Sequence, residues 1–321
     1  MLAIPARYHS KWGNQMPLHG AQGFASQKPV EFELHGYQLT IPSNHLLVHV
    51  LNPQSSAFEP YRESGLIKLA KSLGRRSGIA IDIGANVGDT CAILHRHTEL
   101  RVFCVDASDF FFPYLTKNIR SHFSTRAIAE HAYVTANRGE GAKSLYHFLG
   151  TAKPIEDQPP TETCGTIFIG DLIDKTDNVA LLKTDIDGQD IDLIDAALRH
   201  IAPRGLRFPI YFEFELQWTS PEEAKQRAHK LLALSHTAIS AGYTSAFLWD
   251  EPGRFYGLIN LERRDSVVNA INYLGHSQHQ VVWGYDICLI HKSDVTLAAD
   301  LIALISPESV LPVDVDWSPN L

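Results

Sequence analysis

The segment IAIDIGANVGDT, residues 79–90, constrains this chain more than any other. An apolar, β-branched run reads as a buried strand, two glycines break it, and Asp89-Thr90 open a helix. A strand that passes through a glycine turn into a helix begins a parallel βαβ unit. The rest of the chain must therefore supply more parallel strands and helices to cover both faces of a sheet.

The following sequence has that texture. RVFCVDA reads as a second strand, with a helix through Tyr114, Leu115 and Ile119 behind it. HAYVT is a third strand, VALLKTDID a fourth and FPIYFEFEL a fifth, and SAFLWDE and YDICLIHK complete the set. GQDIDLIDAALRHI between the fourth and fifth has Ile191, Ile194 and Leu198 at helical spacing. Ser220-Pro221-Glu222-Glu223 carries a capping-box pattern for a helix that stops at Gly242. DVTLAADLIALI reads as the last helix. The expected fold is α/β, Rossmann-like and doubly wound, with a mostly parallel seven-stranded sheet.

Ahead of it, VEFEL and YQLTI alternate on either side of His35-Gly36, a hairpin signature. The segment SAFEPYRESGLIKLAKSL reads as a loop and a helix with Leu66, Leu69, Ala70 and Leu73 on one face. The stretch from Asn137 to Pro160 reads as an excursion around SLYHFLG. The division this suggests is an N-terminal arm over 1–29, a hairpin and helix over 30–75, the main domain over 76–292, and a helix and tail over 293–321.

Composition narrows the partners. The 321 residues carry a formal net charge of −8, which disfavours general attraction to nucleic acid or anionic membranes. No run approaches the roughly 20 apolar residues that span a bilayer. The N-terminal apolar run is too short for an export signal, so the expected compartment is the cytoplasm. Cys91, Cys104, Cys164 and Cys288 have no CxxC spacing and read as reduced thiols rather than zinc ligands. The 16 histidines form close pairs (His45 and His49, His95 and His97, His276 and His279) but no HExxH-type constellation, and no metal site is expected from them. A lone histidine acting as a base, His131 or His147, stays open.

The glycine loop and the acid after the second strand indicate a cofactor. Gly84 lets the backbone turn tightly against a ligand, and Gly88 lets the helix approach the sheet. The spacing is not GxGxxG, and Asp89 places a carboxylate where a pyrophosphate would sit. S-adenosylmethionine has no phosphate. Its amino group can meet Asp82, and its carboxylate can meet amides of the Gly84-Ala85-Asn86 loop and of the helix start from Gly88 to Thr90. The loop thus disfavours a nicotinamide-dependent oxidoreductase. By itself it is equally compatible with a tight turn that binds nothing. Asp106 changes the balance: with Ala107 it ends the second strand about 20 residues on, where a Rossmann-type site places an acid on the ribose hydroxyls. Ala132 and Tyr133, on the third strand, are candidates for the adenine.

In a parallel sheet, chemistry lies beyond the C-terminal strand ends. Asp185 and Asp187 after the fourth strand, and Glu213 in the fifth, are the candidate catalytic residues; Asp185 also faces the cofactor side. Lys183, Asp185 and Asp187 alternate along one side of the chain, and Tyr211, Glu213 and Glu215 do the same. Carboxylates there are costly unless paired or functional. A general base, a substrate anchor or a divalent-metal ligand would each suit them. Two carboxylates can hold Mg²⁺ through oxygen, but that is the less favoured role.

Together the motifs resemble the FkbM family of methyltransferases. The carrying pieces are IDIGANVGDT, VDAS with a following Asn118-Ile119, LLKTDIDGQDIDLIDAA and IYFEFE, then GYTSAFLWDEPGRFYG and YDICLIHK. The match spans about residues 30–292. Asp187 and Asp190 stand where that family usually has Glu, which keeps charge but shortens reach. The resemblance implies O-methylation of a hydroxyl on a small molecule, sugar or glycolipid with S-adenosylmethionine as donor. The alternatives are N-methylation of a small molecule and a noncatalytic S-adenosylmethionine-binding protein. The methyl acceptor and the oligomeric state are not written in these motifs.

Overall fold

The computed structural model describes residues 28–148, 150–155, 159, 162–186, 188–215, 221–250, 252–276 and 284–305. Nearly all of the expected N-terminal arm, Asp187, the capping-box Ser220 and the tail from 306 onward lie outside the described residues.

Strands β1 (Pro29–Leu34) and β2 (Tyr37–Pro42) form the expected hairpin, with Pro29 opposite Pro42 and Leu34 opposite Tyr37. His35 and Gly36 take φ of 52° and 86°, the left-handed pair that matches the twist of two short strands. Helices α1 (Leu46–Val50) and α2 (Ser64–Leu73) follow. As the spacing predicts, α2 buries Leu66, Leu69, Ala70 and Leu73.

The first parallel units are β3 (Ile79–Ile83), α3 (Asp89–His97), β4 (Arg101–Asp106), α4 (Phe112–Asn118) with a π-helical turn Ile119–Phe123, and β5 (Ala127–Thr135). A hairpin of β6 (Ser144–Phe148) and β7 (Thr151–Ile155) then leaves the sheet. It is the excursion expected around SLYHFLG. The chain returns through β8 (Gly165–Phe168), α5 (Ile169–Asp174), β9 (Val179–Thr184), α6 (Asp190–Ile201) and β10 (Ile210–Glu215). It closes with α7 (Pro221–Ser240), β11 (Tyr243–Asp250), β12 (Phe255–Asn260), α8 (Arg264–His276), β13 (Gly284–His291) and α9 (Val295–Leu304).

The main sheet runs β12-β11-β13-β10-β9-β3-β4-β5-β8. From β10 to β8 every neighbour is parallel, whereas β13 is antiparallel to both β10 and β11, and β12 to β11. The Rossmann-like, mostly parallel α/β architecture is as expected, but the sheet has nine strands rather than seven. Both extra strands are edges. β8 is a four-residue, half-exposed strand inside a polar stretch, and β12 alternates half-buried and exposed residues. Edge strands need no continuous apolar run, so they leave little trace in hydropathy.

Two apolar cores cover the two faces. One gathers Ile81, Leu182 and Phe212 with residues of α6 and α7; the other gathers Ala80, Leu181 and Tyr211 with α2, α3 and α9. Alternation along the strands therefore turns Asp82 and Lys183, like Tyr211, toward the second core.

Asn118, 1 % exposed, ties the N-terminal hairpin to that core. Its Oδ1 accepts the Thr40 N–H at 2.8 Å, and its Nδ2 donates to the carbonyls of Thr40 at 2.9 Å and Val87 at 2.8 Å. Val87 belongs to the glycine loop, so one buried amide fastens hairpin and loop together. Leaving buried donors and acceptors unpaired costs roughly 1–3 kcal/mol. Asn118→Ala should lower unfolding stability by about that amount in a urea titration, and a loss too small to measure would show that water replaces the clamp.

Candidate active site

A cleft opens at the C-terminal ends of β3, β4, β5, β9 and β10. Of the residues named from sequence, Gly84, Asn86, Thr90, Asp106, Ala107, Ala132, Tyr133, Asp185 and Glu213 line it. Asp82, Ala85 and Gly88 lie behind that lining. Ala85 is buried at 1 %, Asp82 at 0 %, and Gly88 is the N-cap of α3. Asp187 is outside the described residues, as is the side chain of Glu215. Neither histidine considered as a base lines the cleft. His131 stacks on Phe112 and pairs with Asp109 at 3.2 Å, while His147 shares a 2.7 Å hydrogen bond with Ser108. Glu59 is ion-paired with Arg62 at 2.8 Å, and Tyr61 is half exposed. The polar turn after β11 packs onto this N-terminal segment, where the Ser64 hydroxyl donates to the Gly253 carbonyl.

The glycine loop is held by close approach. A Cβ on Gly84 would lie 2.0 Å from the backbone oxygen of Asp185, and Gly84 sits at φ 77°. No side chain fits between the β3 and β9 loops. The two segments with the strongest sequence signals are thus pressed together, and the Asp185 N–H donates to Ile83 O at 3.0 Å.

Asp106 braces the loop from the other side. Its Oδ2 accepts the Asn86 N–H at 2.7 Å, and its Oδ1 accepts the Ser108 N–H at 2.8 Å. Each carboxylate oxygen keeps a further lone pair for a ligand. Burial pushes Asp106 up to about 7, against the pull of those two N–H groups. Asn86 itself takes φ 49°. Its Nδ2 donates to Gly150 O at 2.6 Å, and its Oδ1 meets His45 Nε2 at 3.1 Å. The β6–β7 hairpin is thereby fastened over the cleft, which it lines with Leu145 and residues 150–154. At the end near Ala132, the Tyr133 hydroxyl donates to Gln189 Oε1 at 2.8 Å and bridges β5 to the loop before α6.

Across the cleft, Lys183 is a nearly buried cation at 6 % exposure. Its Nζ lies 3.3 Å from Asp82 Oδ1 and 3.3 Å from Asp185 Oδ2. Burial opposes its charge, but Asp82, Asp185, Asp89 and Glu63 outweigh burial and raise its pKa. Burial pushes Asp82 up to about 6 even beside this lysine. Asp185, with its side chain 48 % exposed, feels burial too, yet Lys183 and then Glu213 hold it below the usual carboxylate range. β9 ends at Thr184, so Asp185 stands just past the strand, with its carboxyl on the same side as Lys183. The salt-bridge and site readings of these carboxylates therefore coexist: Lys183 pairs Asp185, whose carboxyl still faces the cleft.

Sequence reasoning missed Arg62, Glu63 and His45 from the N-terminal segment, the β6–β7 roof, and Asp286 on β13, all of which line the cleft. Asp286 faces Glu213 directly across the β10–β13 ladder. An acid opening the apolar strand YDICLIH was its signal. Glu63 had none, because nothing in a loop sequence says which strand end it will cover. Among the described residues, no group of three or more His, Cys, Asp or Glu is arranged to hold a metal ion. All four cysteines are free.

No family model matches the chain, and no curated protein matches it. Similar solved structures exist. M. jannaschii TYW2 in complex with AdoMet is 11 % identical with a TM-score of 0.42, over 82 % of this chain and 86 % of that one. Precorrin-6y C5,15-methyltransferase from Geobacter metallireducens is 13 % identical with a TM-score of 0.37, over 75 % and 91 %. Geranyl diphosphate methyltransferase, in complex with GPP and sinefungin, is 11 % identical with a TM-score of 0.38, over 71 % and 78 %. Independently of these, counting the strands that flank the glycine loop from β3 as first, the central seven run third, second, first, fourth, fifth, seventh, sixth, with the seventh reversed. This chain has a Rossmann-like, mostly parallel α/β fold with one reversed strand inside the sheet.

Two outcomes test the site's electrostatics. Lys183→Met removes the partner of a buried carboxylate, and breaking such pairs costs about 3–5 kcal/mol; a variant as stable as the parent in denaturant would show that Asp82 is satisfied another way. Asp190, 1 % exposed, accepts the Ile186 N–H at 3.3 Å and is pushed up to about 7, chiefly by burial and then by Asp185. Its folded value is above its unfolded one, so its contribution is fully present below about pH 4 and is lost as pH rises through about 7. Asp190→Asn should therefore gain stability relative to the parent as pH rises across that window. A relative loss would reverse the sign.

Proposed function

We propose that this chain is an S-adenosylmethionine-dependent methyltransferase of FkbM type that methylates a hydroxyl on a small molecule, sugar or glycolipid. The observation that carries the proposal is the shared cleft. Asp106, braced by the N–H of the glycine-loop residue Asn86, faces the carboxyl groups of Asp185 and Glu213 across one opening. Donor-holding and acceptor-holding groups thus meet at the strand ends, where a parallel sheet builds its sites.

The residues fit this cofactor. Gly88 caps α3 without a side-chain acceptor, so the first N–H groups of that helix are open to a carboxylate. Asp89 in the same turn disfavours a phosphate in that place. Asp106 keeps lone pairs for ribose hydroxyls, and Ala132, Tyr133 and Val134 offer an apolar wall for the adenine. Asp82, sealed behind the loop, acts on the amino group through the field it shares with Lys183 rather than by contact. Bound S-adenosylmethionine supplies an electrophilic methyl group on a sulfonium.

The chain's own residues supply alignment and proton removal. In-line displacement needs the nucleophile held against the methyl group and water kept out. The β6–β7 roof and the Arg62–Glu63 segment close the cleft from above. Asp185, kept ionised by Lys183, accepts a hydrogen bond from the acceptor hydroxyl and sets a negative potential beside the sulfonium. Glu213 takes the proton. A neutral hydroxyl gains little nucleophilicity without such a base, and general-base catalysis contributes typically 10²–10⁴-fold.

Calorimetry with S-adenosylhomocysteine and NAD tests the cofactor assignment, with binding expected for the first alone. Absence of S-adenosylhomocysteine binding sinks the proposal. Asp106→Ala should weaken that binding at least tenfold, since two hydrogen bonds to ribose at about 1 kcal/mol each amount to more than 1.4 kcal/mol.

A further inference from the structure

The acceptor end of the cleft carries more carboxyl groups than a neutral hydroxyl needs. Glu213 and Asp286 are cross-strand neighbours on β10 and β13, and Glu63 reaches the same space from the start of α2. Glu63 holds the left-handed conformation, at φ 66°, rare for a side chain of its size. The surrounding structure spends strain to place that carboxyl there. Among the described residues, Arg62 and Lys183 are the cations at this end; Lys183 is committed to Asp82 and Asp185, and Arg62 pairs with Glu59 at 2.8 Å and reaches Glu63 only at 4.0 Å.

A second observation points into the same space. Tyr211, 3 % exposed, precedes Glu213 by one turn of the pleat on the same face and lines the cleft. Its hydroxyl lies against the Asp286 carboxyl but falls short of good hydrogen-bond geometry, and a buried hydroxyl so poorly matched is costly. It is confined on its other side, where a Cβ on Gly65 would lie 2.8 Å from it. A polar ligand group between Tyr211, Glu63 and Asp286 would satisfy it.

We infer that the acceptor is an amine-bearing alcohol, an amino sugar or amino alcohol, whose ammonium group is held by Glu63, Asp286 and Tyr211 while its hydroxyl faces Asp185 and Glu213. This rests on the methyltransferase reading above. An ammonium group supplies three donors, which matches two carboxylates and a phenolic oxygen. Burial with the negative neighbour Asp89 pushes Glu63 up to about 7, despite Arg62 and Lys183, and burial together with Glu63 raises Asp286 well above an ordinary carboxylate. Both are groups that a bound cation would relieve. A neutral sugar would leave both carboxyls short of a cationic partner. The reacting group stays the hydroxyl, whose proton goes to Glu213 as the new C–O bond forms and the methyl–sulfur bond breaks.

The test uses the full chain saturated with S-adenosylhomocysteine and two matched pairs of probes: glucosamine against glucose, and ethanolamine against ethylene glycol. At least one amine should bind tenfold or more tightly than its neutral partner, and Asp286→Asn and Glu63→Gln should each reduce that preference about tenfold. Far-ultraviolet spectra and S-adenosylhomocysteine affinity, both expected unchanged, show that the variants are folded. Equal affinity within both pairs, no binding of any probe, or a preference indifferent to both substitutions overturns the inference. Normal S-adenosylhomocysteine binding in those cases leaves the cofactor reading standing, whereas its absence fails that reading first. With S-adenosylmethionine instead, the methyl group should appear on oxygen; methyl on nitrogen overturns the anchor role of the amine.

Discussion

One buried lysine sets the terms for the rest of this site. Lys183 stands on the central strand β9, across the ladder from Asp82 on β3 and from Tyr211 on β10. A cation at that depth is tolerable only with carboxylates around it, and carboxylates there are tolerable only with the cation. Asp82, Asp89, Asp185 and Glu63 all act on its charge. The pairing holds Asp185 ionised at the lip of the cleft, while Asp82 remains behind the loop where water does not reach.

Around this centre, three loops are bound to one another rather than to the sheet alone. Gly84 lies against the backbone of Asp185, Asp106 receives the Asn86 N–H, and Asn118 joins Val87 to the N-terminal hairpin. Asn86 passes the connection on to Gly150 in the β6–β7 roof. The glycine-loop end of the cleft is consequently built of backbone groups in a fixed frame, which is the preorganisation that binding without large rearrangement needs. The opposite end is built instead of side chains from β10, β13 and the segment before α2.

Much of the frame was legible in the chain. The strand–glycine–helix segment, the acid of CVDA and the apolar spacing of α2 and α6 located strands and helices, and most of the residues they pointed to line one cleft. These features are local: a glycine between strand and helix, or an acid ending a strand, has its meaning within a few residues. Alternation carried one residue past the strand end: β9 stops at Thr184, yet the Asp185 carboxyl still meets Lys183 on the same side. The edge strands β8 and β12 were also missed, since a strand with one free edge and one wet face carries little hydrophobic pattern.

The sequence by itself determined the fold class, the position of the glycine loop and the place of Asp106 at the end of the next strand, because each follows from residue types at short spacing. Only the tertiary structure decided what faces them. Glu63, Tyr211 and Asp286 are far apart in the chain and meet because β13 runs antiparallel beside β10 while the segment before α2 folds over both. Likewise Asp82, which by position could have touched a ligand, is sealed behind the loop by the packing of α3 and by Lys183. Which carboxylate is buried, which is paired and which is open to the cleft depends on distances through space, and those are set by packing across the sheet rather than by order along the chain.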